Sequence, residues 1–423
     1  MSLVVQKYGG SSVADLQCIA NVARRIGKCH DEGNNVVVVV SAMAGETDRL
    51  IDLAKQIMDF PNEREMDVLV STGEQVSMSL LAMTLHSMGY TARSYCGWQL
   101  PVITDSAYCG ARIESVSRDT ILPDLEEGRI VLVAGFQGVD RSGHITTLGR
   151  GGSDTSAVAI AAALNADRCD IFTDVDGVYT TDPNLVTKAR KLKKIAYEEM
   201  LEMASLGAKV LYTRAVEYGM RHDVPIMVLS SFNENEGTLV TKEEVDMEKE
   251  VVTAVTCNTK EAKITLSGVV DKPGVAAKIF SSLAEANVVL DMIIQNASAQ
   301  GITDISFTIP EADLTKTLAV VEKVKESIAA QDVTGTDDIA KVSIIGIGMR
   351  SHSGVAAKMF KVLAQEGINI EMISTSEIKI SCVIQRKYAE LAVRALHEAF
   401  EMEKGPEQAT VRENNEVRRI RFK

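Results

Sequence analysis

Two short glycine-containing segments carry the groups best suited to hold a phosphate. Lys7-Tyr-Gly-Gly-Ser-Ser12 follows an apolar run, and Gly149-Arg-Gly-Gly-Ser-Asp154 precedes another. Glycine has no Cβ, so its backbone N–H groups can approach an anion closely, and a following helix adds its positive end. Either segment alone also fits a tight turn with a serine or aspartate cap. Because the two segments also carry Lys7 and Arg150, we favour an anion site.

Several other kinds of chemistry are disfavoured. The chain contains no GxxxxGK[ST] motif, no complete GxGxxG and no protein-kinase set of motifs. Its six histidines show no zinc spacing. Its seven cysteines form no CxxC pair and are odd in number, which favours reduced thiols over a disulfide framework. We therefore expect no metal site built from protein side chains.

Charge and hydropathy restrict the partners. Asp and Glu (58) exceed Lys and Arg (45) by 13, so the long-range field of the protein repels nucleic acid. The longest apolar runs, 36–40 and 157–164, are too short to span a membrane. We expect a cytoplasmic protein that binds neither nucleic acid nor membrane.

The elements that must position the two glycine segments follow from hydrophobic patterning. Up to about residue 231, short apolar runs alternate with longer amphipathic ones, which predicts an α/β domain with a mostly parallel central sheet and three αβα layers. Residues 36–40 are all valine, which predicts a strand buried on both faces. The predicted strands are 3–7, 36–41, 130–135, 171–174 and 226–229.

The rest of the 423-residue chain contains a linker and a repeat. Residues 232–250 are polar and acidic, and beyond them Gly-Val-Ala-Ala-Lys-Ile-Phe at 274–280 recurs as 354–360, an offset of 80. Each copy predicts a ferredoxin-like βαββαβ unit. We expect domains at 1–245, 251–340 and 341–423, with residues 251–257 supplying the last strand of the first copy and both copies sharing one sheet.

Five ordered motifs carry a resemblance to a known family: KYGGSSV at 7–13, SAMAGET at 41–47, STGE at 71–74, TLGRGGSD at 147–154 and TDVDGVYTTDP at 173–183. Together they resemble the aspartate kinases, and the repeats resemble the tandem ACT regulatory domains of that family. The resemblance covers essentially the whole chain. It implies transfer of the ATP γ-phosphoryl group to the β-carboxylate of L-aspartate, the first step of lysine, threonine and methionine synthesis.

The resemblance also assigns residue roles. Lys7 would offset charge on the transferring phosphoryl group, and Asp154 would orient Lys7. Arg150 would bind the aspartate α-carboxylate, and Glu74 its ammonium group. Without the resemblance, Glu74 reads as a solvated residue near a helix start. The other substrate-side positions are Ser41, Thr47, Gly151, Gly152 and Ser153.

The nucleotide-side positions implied by the resemblance surround the same segments. They are Lys7, Tyr8, Gly9, Gly10, Ser11, Thr173, Asp174, Tyr179, Asp182 and Lys209. Mg²⁺ would be bound mainly by ATP phosphates and water. The chain departs from the family at Asn184, where an arginine that reaches the ATP phosphates is usual. A basic residue from 188–194 could replace that charge, although such a run is more often a solvated face.

In the repeats, the resemblance implies a pocket for lysine, threonine or both. The first copy would offer Asp271, Gly274, Val275, Ala276, Asp291 and Gln295, and the second Gly354, Val355, Asn369, Ser374, Thr375 and Ser376. Repeat architecture alone would instead favour simple turn glycines at these positions. The family also implies a homo-oligomer formed through the ACT domains and a possible shorter regulatory subunit starting near Met247.

Two other functions remain open from the sequence. One is a different acyl-phosphate-forming kinase, such as one acting on glutamate, which residues 71–74, Arg150 and the tandem repeats disfavour. The other is an amino-acid sensor with an inactive kinase domain, which Asn184 alone supports. Intact Lys7 and Asp154 argue against it.

Overall fold

The structure is a computed structural model that describes residues 2–208, 210–244, 251–296 and 301–405. The chain forms two compact units. The first comprises residues 1–178 and 191–247, and the second comprises 179–190 and 248–423. The predicted linker at 232–250 therefore contributes its first part to the first unit, as a strand at Thr238–Thr241.

The first unit is built on an eight-stranded sheet, and all neighbouring strands pair in parallel except one antiparallel pair near an edge. All five predicted strands are confirmed, and the 171–174 strand begins three residues earlier than predicted. In sheet order the strands are β10 (Lys194–Ala196), β12 (Thr238–Thr241), β11 (Ile226–Ser230), β9 (Arg168–Thr173), β1 (Leu3–Tyr8), β2 (Asn35–Val40), β6 (Ile130–Ala134) and β3 (Ala92–Tyr95).

Helices cover both faces of this sheet, which confirms the three-layer prediction. One face carries α1 (Leu16–Asp31) and α4 (Thr72–Ser87), which share a core with Val36, Val38 and Val40. The other face carries α6 (Gly152–Leu164), which packs on β1, β2 and β9. The remaining helices of this unit are α2 (Glu46–Ile57), α3 (Glu63–Val70), α5 (Leu122–Glu126), α7 (Tyr197–Ser205) and α8 (Thr213–His222).

A second, four-stranded sheet in this unit was not predicted. Its strands in sheet order are β5 (Ile113–Val116), β4 (Val102–Thr104), β7 (Gln137–Asp140) and β8 (Ile145–Thr147). The strands are only three or four residues long, so their hydrophobic alternation is too brief to read from the sequence. The sheet matters for function because β8 ends directly before the second glycine segment.

The second unit contains one six-stranded antiparallel sheet that both repeats share, as expected. Its strands in sheet order are β14 (Ile293–Gln295), β15 (Ile302–Pro310), β13 (Ala254–Val270), β16 (Asp332–Ile345), β18 (Lys379–Gln385) and β17 (Met372–Thr375). Its helices are α9 (Val275–Glu285), α10 (Leu314–Lys325), α11 (Val355–Gln365) and α12 (Ala389–Ala399). The helices of the first copy pack on Ile264 and Phe307, and those of the second on Val342 and Cys382.

The predicted source of the last strand in the first copy is wrong. The first half of β16 provides it, since Leu266 pairs with Val333. Residues 254–258 instead complete the second copy, where Ala254 pairs with Ile345. Each of the long strands β13 and β16 thus serves both copies. The first copy therefore needs no separate segment of chain for its last strand.

Candidate active site

A cavity of about 650 Å³ lies at the carboxyl ends of β1 and β2, beside the start of α6. Ligands of open α/β sheets bind at this edge, and the volume suits a small molecule. The cavity brings together ten of the residues singled out in the sequence: Lys7, Gly10, Ser41, Thr47, Glu74, Arg150, Gly151, Gly152, Ser153 and Asp154. They come from four separate stretches of the chain.

Lys7 and Asp154 form an ion pair at the floor of the cavity. The distance between Lys7 Nζ and Asp154 Oδ1 is 2.6 Å, and both side chains are about nine-tenths buried or more. Lys7 is next to last in β1, and Asp154 lies in the first turn of α6, where a carboxylate is favoured by the helix dipole. The carboxylate fixes the position of the lysine ammonium group at the cavity.

Glu74 places a carboxylate oxygen into the cavity without a partner. Its Oε1 accepts a hydrogen bond from Ala42 N at 3.1 Å, whereas its buried Oε2 has no hydrogen bond with any residue that the structure describes. Burial raises the pKa of Glu74 to about 8, and the backbone hydrogen bonds to it only partly oppose this. The close approach of α4 to the loop after β2 needs glycine at 73, because a Cβ there would lie 2.8 Å from Ala42 Cβ. This oxygen can accept a hydrogen bond from a cationic group of a ligand in the cavity.

The second glycine segment wraps around the start of α6. Gly149 and Gly151 have φ of +73° and +70°, a conformation that favours glycine. The ring of Tyr212 lies directly over Gly151, so that a Cβ at 151 would be 2.1 Å from Tyr212 Cγ. Arg150, between the two glycines, is exposed at the cavity. Its guanidinium group is therefore available to an anionic ligand.

The first glycine segment differs from the prediction. Residues Gly10–Val13 form a 3₁₀ turn, and α1 begins only at Leu16 after the cap Asp15, whose side chain accepts from Cys18 N. The segment thus offers no α-helix N-terminus. Gly10 is required by close packing instead, because a Cβ there would lie 3.0 Å from Ala42 O.

Fewer of the predicted nucleotide-side residues than of the substrate-side residues line the cavity. Tyr8 is fully buried and stacks on Phe172 with 4.6 Å between ring centroids, so only its backbone is available to a ligand. Thr173 ends β9 beside β1 and donates to Asp174 Oδ1 at 3.0 Å, at the same sheet edge as the cavity. Gly9, Ser11, Thr173 and Asp174 do not line the cavity itself.

The remaining nucleotide-side predictions fall outside the described part of the first unit. Tyr179 and Asp182 belong to the segment 179–190, which is part of the second unit. Asp182 Oδ1 accepts hydrogen bonds from Asn184 N and Nδ2, so Asn184 closes a local turn there. Lys209 and Met247 lie outside the described residues.

The predicted effector residues occupy equivalent places in the two repeats. Gly274 and Gly354 have φ of +94° and +93° and directly precede α9 and α11. Asp291 is paired with Lys341 of the other copy. The equivalent Glu371 is paired in turn with Lys263. The remaining predicted positions are at least partly exposed: Asp271, Val275, Ala276, Gln295, Asn369, Ser374, Thr375 and Ser376; Val355 is buried.

Sequence reasoning missed several residues at or next to the cavity, among them Asp67, Cys109 and Tyr212. Cys109 and Tyr212 line it, as does Met66 beside Asp67. The stretch Glu63–Ser87 is apolar enough to pass as a membrane-spanning helix, but it is half buried and consists of α3 and α4. No local pattern in the sequence points to Asp67, because its partners Cys109 and Thr147 lie 42 and 80 residues away.

The fold and the cavity define the class of protein, and comparisons with known proteins agree. Residues 2–230 match the amino acid kinase family, and residues 264–324 and 342–400 match the ACT domain. An aspartate kinase of Stutzerimonas stutzeri is 56% identical over 404 residues, covering 95% of this chain and 98% of that one. The chain belongs to the amino acid kinase family and, within it, to the aspartate kinases.

Solved structures agree with this assignment. Aspartokinase III of E. coli in complex with aspartate and ADP has a TM-score of 0.80 and 28% identity, covering 94% of this chain and 99% of that one. The same enzyme in complex with lysine and aspartate has a TM-score of 0.75 at the same identity and coverage.

Proposed function

We propose that this protein phosphorylates the β-carboxylate of L-aspartate with ATP and is regulated by end-product amino acids through its ACT domains. The observation that carries the proposal is the arrangement of charged groups around one cavity. An amino acid with a side-chain carboxylate needs a cation for each carboxylate and an anion for its ammonium group. Lys7, Arg150 and the unpartnered Oε2 of Glu74 supply these three.

The reaction follows from these groups. An oxygen of the aspartate β-carboxylate forms a bond to the γ-phosphorus of ATP, and the bond to the β–γ bridging oxygen breaks, leaving ADP. The β-carboxylate is already ionised at neutral pH, since its usual pKa is about 3.9, so no general base is required. Lys7 offsets charge on the transferring group, and Arg150 and Glu74 fix the orientation of aspartate.

The nucleotide site is proposed at the sheet edge beside the cavity. Thr173, Asp174 and the backbone of residues 8–11 lie at the sheet edge next to the cavity, where the adenine nucleotide would bind. Among the described residues, no group of three or more His, Cys, Asp or Glu side chains is placed to hold a metal ion. We propose that Mg²⁺ would arrive bound to the ATP phosphates and would neutralise their charge.

The test is ATP- and Mg²⁺-dependent formation of aspartyl hydroxamate by the full-length protein, with glutamate as the alternative acceptor. We expect product with aspartate and little or none with glutamate. Product from glutamate alone would show that the acceptor is wrong, and no product from either would remove the kinase proposal.

Regulation is tested by adding lysine, threonine or both to the same assay. Asp271 is exposed just before Gly274, where an effector ammonium group could pair with it. We expect Asp271→Ala to raise the inhibitory effector concentration at least tenfold with unchanged activity in the absence of effector. Glu285→Ala, at an exposed position on α9, is the matched control. Equal inhibition of both variants would rule out Asp271 as an effector contact.

We also infer a cytoplasmic homo-oligomer assembled through the ACT domains, with a shorter regulatory subunit translated from Met247. Light scattering of the purified protein tests the assembly. A single polypeptide from the native gene, unchanged when codon 247 is altered, would argue against the shorter subunit.

A further inference from the structure

Asp67 is a fully buried carboxylate that is hydrogen-bonded to Thr147 at the end of β8. This strand leads into the second glycine segment, residues 149–154, here called the Arg150 loop. Asp67 lies in α3 and has no exposed surface. Its Oδ2 accepts from Thr147 N at 2.9 Å, and its Oδ1 accepts from Thr147 Oγ1 at 2.5 Å. Both oxygens also lie within hydrogen-bond distance of Cys109 N, at 3.0 and 3.1 Å. One carboxylate thus joins α3 to two distant segments of the chain.

Arg214 also forms hydrogen bonds with the segments that precede and flank the Arg150 loop. Its Nη1 donates to Leu148 O at 2.5 Å, and its Nη2 donates to Ala111 O at 2.7 Å. Ala111 N in turn donates to Thr147 O at 2.9 Å. The residues directly before Gly149 are therefore bonded to an anion and to a cation that are both fixed in helices.

The Arg150 loop needs such external restraint. Arg150 is flanked by Gly149 and by Gly151-Gly152, and glycine restricts the backbone least. Gly149 also packs against the Cys109 turn, since a Cβ at 149 would lie 3.0 Å from Cys109 O. Asp67 is hydrogen-bonded both to Cys109 N and to Thr147. Removing its carboxylate should therefore release both segments that hold the Arg150 loop.

The cost of burying the Asp67 carboxylate is offset by the hydrogen-bond donors around it. A carboxylate removed from water is costly unless donors surround it. The three donors at Asp67 are two backbone N–H groups and a hydroxyl, all belonging to residues that line the cavity. Met66 and Val70 of the same helix line that cavity too.

We propose that Asp67 and Arg214 are positioning residues that hold the Arg150 loop where it can bind the α-carboxylate of the acceptor amino acid. They act through the backbone of residues 147–149 and do not touch substrate. The proposal rests on the proposed function, because it assigns the loop to aspartate binding. It predicts that their loss weakens binding of the acceptor and spares binding of ATP.

The experiment compares Asp67→Ala with Asp124→Ala in the full-length protein. Asp124 is a matched control because it is equally buried and binds Tyr95 and Arg129, away from the cavity. For Asp67→Ala we expect the KM for aspartate to rise at least tenfold and the KM for ATP to change less than twofold. For Asp124→Ala we expect a lower Tm with both KM values within twofold of wild type.

Conservative variants separate positioning from folding. Asp67→Asn keeps an acceptor for Thr147 N and a group that can pair with Thr147 Oγ1, so its KM for aspartate should lie between wild type and Asp67→Ala. Thr147→Val removes one of the donors, and Arg214→Met removes the second anchor. Both should raise the KM for aspartate severalfold without changing that for ATP.

The outcomes are distinct. Wild type without activity on aspartate overturns the proposed function itself. Wild type with activity, together with an Asp67→Ala variant whose two KM values are unchanged or rise equally, overturns the positioning role alone. If Asp67→Ala does not fold, Thr147→Val decides, and an unchanged KM for aspartate in that variant overturns the proposal.

Discussion

Burial of Glu74 makes its charge unfavourable to the folded protein, and this predicts a stabilising substitution in the active site. Burial raises the pKa of Glu74 from the usual 4.5 to about 8. The difference, 8 − 4.5, is roughly 3.5 pH units, or about 5 kcal/mol at about 1.4 kcal/mol per unit. Because the folded pKa is raised, the stability from neutral Glu74 is complete below pH 4.5 and is lost as pH rises toward 8.

The substitution Glu74→Gln should remove the loss of stability that accompanies ionisation of Glu74. Glutamine is neutral at every pH and keeps an acceptor for Ala42 N, the hydrogen bond that Glu74 Oε1 accepts. Relative to wild type, the variant should gain little at pH 5 and up to about 5 kcal/mol at pH 8.5. Enzymes often carry such unfavourable groups where ligands bind. The same variant should lose most of its affinity for aspartate, because an amide cannot pair with an ammonium group as a carboxylate does.

The assay is denaturant unfolding of both proteins at pH 5, 7 and 8.5, followed by a probe in the kinase unit. Asp124→Asn is the control of opposite sign. Burial alone would raise the pKa of Asp124, but hydrogen bonds from Tyr95, Arg129 and Arg93 outweigh it and lower the pKa. That variant should therefore lose stability at neutral pH. A Glu74→Gln advantage that stays constant between pH 5 and 8.5 would refute the assignment of a neutral, buried Glu74.

Three further substitutions test other features. Lys7→Met should lower kcat by about 10²- to 10³-fold, because it removes the cation at the transferring group. Lys28→Met, on the exposed face of α1, should leave kcat unchanged. Near-normal turnover by the Lys7→Met variant would refute the role of Lys7. Gly151→Ala should reduce activity more than tenfold, because φ is +70° and a Cβ meets Tyr212, while Gly143→Ala, with φ of +84° in open space, should cost only about 1 kcal/mol of stability. Lys341→Met should destabilise the ACT unit by roughly 3 kcal/mol, because it leaves the buried carboxylate of Glu261, 2.5 Å from Lys341 Nζ, without its cation; unchanged denaturant unfolding would contradict this.

The sequence was sufficient for features encoded by local pattern or by repetition. The valine run at 36–40 predicts a strand covered on both faces, and the structure buries all five residues. The offset of 80 between Gly274 and Gly354 predicts equivalent folds, and both glycines start equivalent helices at nearly equal φ. The family resemblance paired Asp154 with Lys7, and the two side chains form an ion pair.

Features that depend on long-range pairing were not predictable in this way. Asp67 and Thr147 are 80 residues apart, and nothing local to Asp67 indicates its partner. The strand exchange between the repeats depends on which half of a long strand meets which neighbour. The burial of the Tyr8 side chain could have been predicted, because adjacent strand residues point to opposite faces. Lys7 points to the cavity, so Tyr8 points into the core.

The raised pKa of Glu74 predicts that substrate binding releases a proton. At pH 7, a group with a pKa of about 8 is roughly 90% protonated. If the aspartate ammonium group pairs with Glu74 as proposed, it pairs with the charged form, so binding at pH 7 should release up to about one proton per site. Isothermal titration calorimetry in phosphate and in Tris, which differ in ionisation enthalpy, measures this number directly. Binding enthalpies that agree in the two buffers would mean that Glu74 is already charged in the free protein or does not contact the ammonium group.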